Sequence, residues 1–317
     1  MSEPSPDPAV FAEILAQART LLKARQWQAA LPLLLQAHAA APASVTRAEV
    51  AALLGRASAR LHDWPRARHW LDLALAAEDK AEDYPWRAPL LHQLGRACQE
   101  LADWEAARQA YLQALEHKRL AGLDAALGQT YHQLGRVYDA QGKLTEAARS
   151  YAQAVDWMQR HADSHLGLSL FQLAKAQEAL AEPLQALENY TRALAVLSAQ
   201  PQLRADACYR IGALFAGFQR HDEARLAFEQ ALEAYTQLNL DFWVGMTRLK
   251  LGLLALDQGQ VPLVMQHARG AVDALEATHD VQALKMAYDL LAELSQLLGQ
   301  SADARHWLAR GAALEGP

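Results

Sequence analysis

A small residue recurs along this chain at nearly constant spacing, and each time two more follow at the same offsets. The first of each set is Ala18, Gly55, Gly95, Gly135, Ala174, Gly212, Gly252 or Ala292. Twelve positions later comes Ala30, Ala67, Ala107, Ala147, Ala186, Ala224, Val264 or Ala304, and seven further on lies Ala37, Ala74, Ala114, Ala154, Ala193, Ala231, Ala271 or Gly311. Such self-similarity restricts the chain to stacked copies of one supersecondary unit, each too small to bury its own apolar face. With the first small residue as the eighth position, the units begin at residues 11, 48, 88, 128, 167, 205, 245 and 285.

Each unit reads as two amphipathic helices, A and B, joined by a short turn. In the fourth, Tyr131, Leu134, Gly135 and Tyr138 lie at spacings of three and four, the period of one helical face. Gln141-Gly142-Lys143 interrupts the pattern, and Ala147, Tyr151 and Ala154 resume it. The small residues serve a physical purpose, since without bulky side chains helix A can lie close against helix B. Tyr111, Tyr151, Tyr190 and Phe228 are then expected to fill the space beyond them. Pro65 and Pro183 fall where helices start, where a missing amide costs nothing. Pro32 falls inside the second helix and is expected to kink it.

This pattern resembles the tetratricopeptide repeat, and the resemblance covers about residues 11 to 314. The departure is length, because the usual repeat has about 34 residues. The extra residues are expected to lengthen helix B, as in Ala114 to Leu120, which is similar to the long-repeat branch of kinesin light chain and bacterial peptide-sensing regulators. The resemblance implies an all-α, right-handed superhelical solenoid of about eight helix-turn-helix repeats. Residues 11–317 would form it, residues 1–10 would be a flexible tail, and the A helices would line a concave groove.

Composition removes several other classes. Lys and Arg number 30 against 36 Asp and Glu, a net charge of −6, which argues against coating nucleic acid. No apolar run approaches the roughly 20 residues of a membrane helix. Met1 to Pro8 lacks the basic and apolar parts of a signal peptide, so a cytoplasmic protein is expected. Cys98 and Cys208 lie apart within helical segments and read as packing residues.

Nor do the motifs assemble an active site. Gly142-Lys143-Leu144-Thr145 lacks the glycine spacing and the preceding strand of a phosphate loop. His161 and His165 flank Asp163 at a junction between repeats with no third metal ligand following. No enzyme activity, metal or cofactor is expected.

The groove that the resemblance implies carries a pattern of its own. At its ninth repeat position stand Arg19, Arg56, Arg96, Arg136 and Lys175, followed by Ala213, Leu253 and Glu293. Such cations bind carboxylates and phosphates through charge-assisted hydrogen bonds. Glu100, Asp139 and Glu178 are placed to pair with Arg96, Arg136 and Lys175, whereas Arg19 has Lys23, and Arg56 has Arg60, four residues on along the same face. His92 and His132 share one repeat position, and Gln93 and Gln133 the next, where they are expected to contact a peptide. Further along, Tyr209, Leu249 and Leu253 are expected as apolar contacts. The asparagines of the family's carboxylate clamp are missing from the groove positions.

The function expected is a non-enzymatic protein–protein interaction scaffold that holds an acidic, partly apolar segment of a partner. A sensor for a signalling peptide or small ligand is the first alternative, and single-stranded RNA binding by helical repeats the second. Repeat eight presents Ala304, Trp307, Leu308, Ala312 and Leu314 with no polar helix after it, so a homodimer contact, or a partner, is expected there.

Overall fold

A computed structural model describes residues 8–314 except His279. It is all-helical over these residues, and the chain divides into two compact units, Met1–Leu180 and Ala181–Pro317. The first contains α1 (Pro8–Lys23), α2 (Trp27–Ala39), α3 (Ser44–Arg60), α4 (Trp64–Leu75), α5 (Tyr84–Glu100), α6 (Trp104–Leu120), α7 (Leu127–Ala140), α8 (Leu144–Arg160) and α9 (Leu166–Ala179). The second contains α10 (Pro183–Val196), α11 (Pro201–Gly217), α12 (His221–Gln237), α13 (Asp241–Asp257), α14 (Val261–Glu276), α15 (Val281–Leu297) and α16 (Ser301–Ala313). Within each unit, consecutive helices pack on one another.

Every B helix begins at the same repeat position, from Trp27 and Trp64 to Val261 and Ser301. Three sequence expectations need adjusting. Residues 8–10, assigned to the tail, belong to α1, and the rest of that tail lies outside the described residues. Pro32 lies inside α2, which continues unbroken from Trp27 to Ala39. The extra repeat length goes into helix B in α6, α8 and α12, each 17 residues, but α4 has only 12. After α4 the surplus forms a 3-10 turn at Glu78–Lys80.

The expected close crossings are present, and the residue four positions after the helix-B alanine makes them close. A Cβ built on Gly135 would lie 2.7 Å from the Tyr151 ring, and one on Gly95 or Gly55 would meet Tyr111 or Leu71 at the same distance. In the second unit Gly212 faces Phe228 at 2.8 Å. Tyr111, Tyr151 and Phe228 are all fully buried by these crossings. Repeat seven lacks the bulky partner: Ala268 stands in that place, and a Cβ on Gly252 would meet nothing nearer than 3.5 Å.

The A-to-B turns share a device that glycine content conceals. Arg25, His62, Ala102, Gly142, Ala181, Gln219, Gly259 and Gly299, one in each repeat, all have φ between 57° and 71°. Backbone bonds close the helix around that residue. In repeat two, His62 N–H donates to Ala59 O at 3.3 Å and Asp63 N–H to Ser58 O at 3.0 Å, the two bonds of a Schellman cap. The same longer-range bond joins Asp103 to Cys98, Lys143 to Tyr138 and Gln260 to Ala255. The Gly142 motif is thus a helix-to-helix turn. A left-handed backbone strains any residue with a Cβ. Ala102→Gly should therefore raise stability by about 0.5–1 kcal/mol, and Gly142→Ala should lower it by a similar amount. Urea denaturation followed by circular dichroism measures both; equal signs for the two changes would refute the account.

At the end of the second unit, Trp307 stacks on Tyr288 of its own repeat (ring centroids 5.9 Å apart, 20° between planes). It and Leu314 are partly covered by the repeat's core, and Ala304 is buried. Of the open face expected there, Leu308 and Ala312 remain exposed.

Candidate functional site

The five cations of the ninth repeat position, Arg19, Arg56, Arg96, Arg136 and Lys175, come one each from α1, α3, α5, α7 and α9, and all are exposed. Lys23 and Arg60, one turn further along α1 and α3, are exposed as well. Among the described residues, none of the seven has a carboxylate within 4.0 Å, so the expected intrahelical pairs of Arg96 and Arg136 do not form. Other groups hold them instead. The guanidinium of Arg96 lies 5.2 Å from the ring centre of Trp64, and that of Arg60 lies 5.9 Å from Trp27. Arg136 Nη1 donates to Gln133 Oε1 at 3.1 Å. Cation–π contacts at exposed sites are worth about 0.5–1 kcal/mol, and they orient a guanidinium without neutralising it.

The tryptophans were not anticipated as site residues. Trp27, Trp64 and Trp104 are the first residues of α2, α4 and α6, each half-buried. Their signal in the sequence was a shared repeat position in the same three repeats that begin the basic ladder.

Two cavities adjoin these cations. One, of about 270 Å³, is lined by Arg19, Leu22, Lys23, Trp27, Leu53 and Arg56. It combines three cations with an aromatic and aliphatic floor, and no acid among the described residues lines it. A neighbouring cavity of about 430 Å³ shares Arg19, Leu53 and Arg56 and extends over Trp86, Pro89 and Gln93. Its Glu49 is held 3.5 Å from Lys80 Nζ.

A third cavity, of about 360 Å³, brings together His92, Gln129, His132, Gln133, Arg136, Met158, His165, Leu168 and Gln172. His132, expected to face a ligand openly, is buried; His92, Gln93 and Gln133 are half-buried. The reason is stacking, because this position in one repeat is covered by helix A of the next. His92 Nδ1 lies 3.0 Å from Thr130 Oγ1, and His132 Nδ1 lies 2.9 Å from Ser169 Oγ, the hydroxyls occupying one position in successive repeats. Each imidazole also rests against an aromatic ring of its own repeat, Tyr111 or Tyr151. Burial, with Lys118 and Arg96 nearby, pushes the His92 pKa down to about 3. Burial, with Arg136 and His165, lowers that of His132 to about 4. Both are neutral at pH 7. Lys118, also buried, donates from Nζ to Ala126 O at 2.8 Å and to Thr130 Oγ1 at 2.5 Å, and its pKa is lowered to about 8 by desolvation. His165 Nδ1 lies 2.8 Å from Asp163 Oδ1 in the turn before α9.

The apolar contacts expected in the second unit divide. Leu249 is 3% exposed and serves the core, which corrects its assignment as a partner contact. Leu253 is 41% exposed. Tyr209 is half-buried and packs edge-on against Phe228 and Trp243. Arg248, at an expected packing position, lies across Gly270, where a Cβ would come 2.6 Å from Nη1.

Paired helices crossing at small residues, with the A helices of the first unit presenting a cationic face, define a helical-repeat architecture. Residues 46–119 match one family model of the tetratricopeptide repeat, and residues 128–159 and 205–237 match another. The matched segments are tetratricopeptide repeats, and the paired helices around them are of the same type. Among solved structures the chain is similar to the C-terminal part of a TPR repeat-containing protein from Cytophaga hutchinsonii (TM-score 0.66, 12% identity, covering 86% of this chain and 98% of that one). It is also similar to the apo form of RapI (TM-score 0.59, 13% identity, 84% and 97% covered). A third is the apo quorum sensor NprR from B. thuringiensis (TM-score 0.57, 17% identity, 96% and 87% covered). At these identities the likeness is one of fold. No curated protein matches the sequence. Among the described residues no helix is long and apolar enough to cross a membrane.

Proposed function

We propose that the A-helix face of the first unit holds an acidic, partly apolar segment of a partner protein, and that the protein acts as a non-enzymatic scaffold. One observation carries this reading: Arg19, Lys23 and Arg56 surround the cavity floored by Leu22, Trp27 and Leu53, and among the described residues none has a carboxylate partner. Like charges gathered without compensation are unfavourable alone and become favourable when an anion enters. The floor suits a large apolar side chain, and the rim suits acids on either side of it.

A labelled peptide with one aromatic residue between acidic ones tests this by fluorescence anisotropy, beside a neutral scramble and an oligouridine. The acidic peptide should bind best. Raising salt from about 50 to about 300 mM should weaken it several-fold without abolishing it, because the apolar part is not screened. Stronger capture of the oligouridine would overturn the reading in favour of RNA, for which the interleaved tryptophans and cations are the favouring feature.

The sensor alternative is supported by the fold shared with the quorum sensor NprR. It differs from a passive scaffold in requiring a change of conformation on ligand binding. A homodimer contact through repeat eight would rest on the exposed Leu308 and Ala312, since Trp307 is stacked within its own repeat.

A further inference from the structure

The cavity shared by α5, α7 and α9 has a chemistry unlike that of the basic cleft at Arg19, and it follows from one hydroxyl. An ammonium group can only donate, so the Thr130 oxygen accepts from Lys118 Nζ. The hydroxyl proton of Thr130 then has two acceptors in reach. One is Ala126 O at 3.4 Å, already engaged by Lys118 at 2.8 Å; the other is His92 Nδ1 at 3.0 Å. The imidazole nitrogen takes it. His92 is neutral, so its own ring proton sits on Nε2, the nitrogen left for the cavity. One repeat on, Ser169 occupies the place of Thr130. The other acceptor beside its hydroxyl is Met158 Sδ at 3.1 Å, a weak one, so His132 Nδ1 is favoured in the same way.

Two imidazole N–H groups therefore face one space, that of His92 set by Lys118 through Thr130 and that of His132 favoured by the weakness of the competing acceptor, with Arg136 as the permanent cation beside them. Among the described residues no carboxylate lines that space. The closest acid in sequence, Asp163, accepts from His165 N, from His165 Nδ1 and from Gln129 Nε2. Met158 and Leu168 supply an apolar side. About 360 Å³ lies near the lower end of small-ligand sites, enough for one small acid or the last residue of a peptide.

We infer that this cavity is a second binding site, for a carboxylate on a short apolar body, read by His92, His132 and Arg136. It stands independently of the Arg19–Lys23–Arg56 cleft. Donors that carry no charge of their own grip an anion by direction, and a single guanidinium supplies the attraction. Thr130 and Ser169 are positioning residues, which hold the tautomer without touching the ligand.

The probes are hexanoate, a tripeptide ending in leucine with a free carboxylate, and the same tripeptide amidated. Each is titrated to about 10 mM against the full chain while the imidazole Cε1–H signals of His92 and His132 are followed by NMR. Shifts at both histidines with hexanoate assign a free acid, and shifts with the free tripeptide alone assign a peptide terminus. Either supports the site, provided the amidated peptide is inert. Arg136→Gln, at an exposed position, and Thr130→Val, which keeps shape but removes the hydroxyl, should each weaken binding about tenfold. The reversal Arg19→Glu should leave it unchanged, which separates this site from the cleft. Should Thr130→Val lower stability, Ser169→Ala provides the same test at His132. No shift at either histidine with any probe, or equal binding of the amidated peptide, overturns the inference.

Discussion

Gly135→Ala is expected to destabilise the protein by about 1–3 kcal/mol, although alanine is the better helix former. The added methyl would lie 2.7 Å from the Tyr151 ring, which is itself fully buried and has nowhere to move. Helix A would have to lift away from helix B, or Tyr151 to leave its rotamer. Gly252→Ala is the control. There the nearest atoms are His267 Cβ at 3.5 Å and Leu290 Cδ2 at 3.7 Å, ordinary contact distances. Its helix propensity should then raise stability by up to about 1 kcal/mol. Thermal and urea melts of the two variants should shift in opposite directions. A similar loss in both would mean that glycine at the eighth repeat position is required for some reason other than the large residue opposite it.

Reversing Arg19, Arg56 and Arg96 to glutamate together should abolish capture of the acidic peptide, a loss of about a hundredfold or more. Folding should barely respond. All three side chains are exposed; among the described residues none is in an ion pair, and the contact forfeited is that of Arg96 with Trp64, about 0.5–1 kcal/mol. A melting temperature within a few degrees of the parent, with binding lost, is the expected pair of results. Full binding by the reversed variant would reduce the ladder to a solvated face.

The repeat pattern made the helices legible because each helix B has only a few ways to lie on its helix A, and small residues mark where it does. The same logic placed the exposed cations, since the ninth position faces away from both helix neighbours. It failed at the fifth position. Leu249 and His132 were assigned to a ligand, yet each lies under the next repeat, and a period read within one hairpin carries no information about what the following hairpin covers. The partners of the arginines were missed for a related reason. Acids three or four residues on looked like natural partners, while Trp64 lies 32 positions before Arg96 in sequence and meets it only through stacking. The Thr130–His92 bond spans a similar distance, and nothing in either residue alone announces it.

The left-handed residue between each pair of helices has a consequence for how the array could change over time. Its caps are made by main-chain groups, so arginine, histidine, alanine, glutamine and glycine all serve there. The position reads conformation and ignores chemistry. Each repeat therefore carries a small dial at the tip of its hairpin, set by a single codon. Turning one dial would tighten or loosen that hairpin by a fraction of the strain of a left-handed backbone. Neither the crossing of the helices nor the face presented to a partner would be disturbed. Stability along the chain could drift repeat by repeat while recognition stayed fixed.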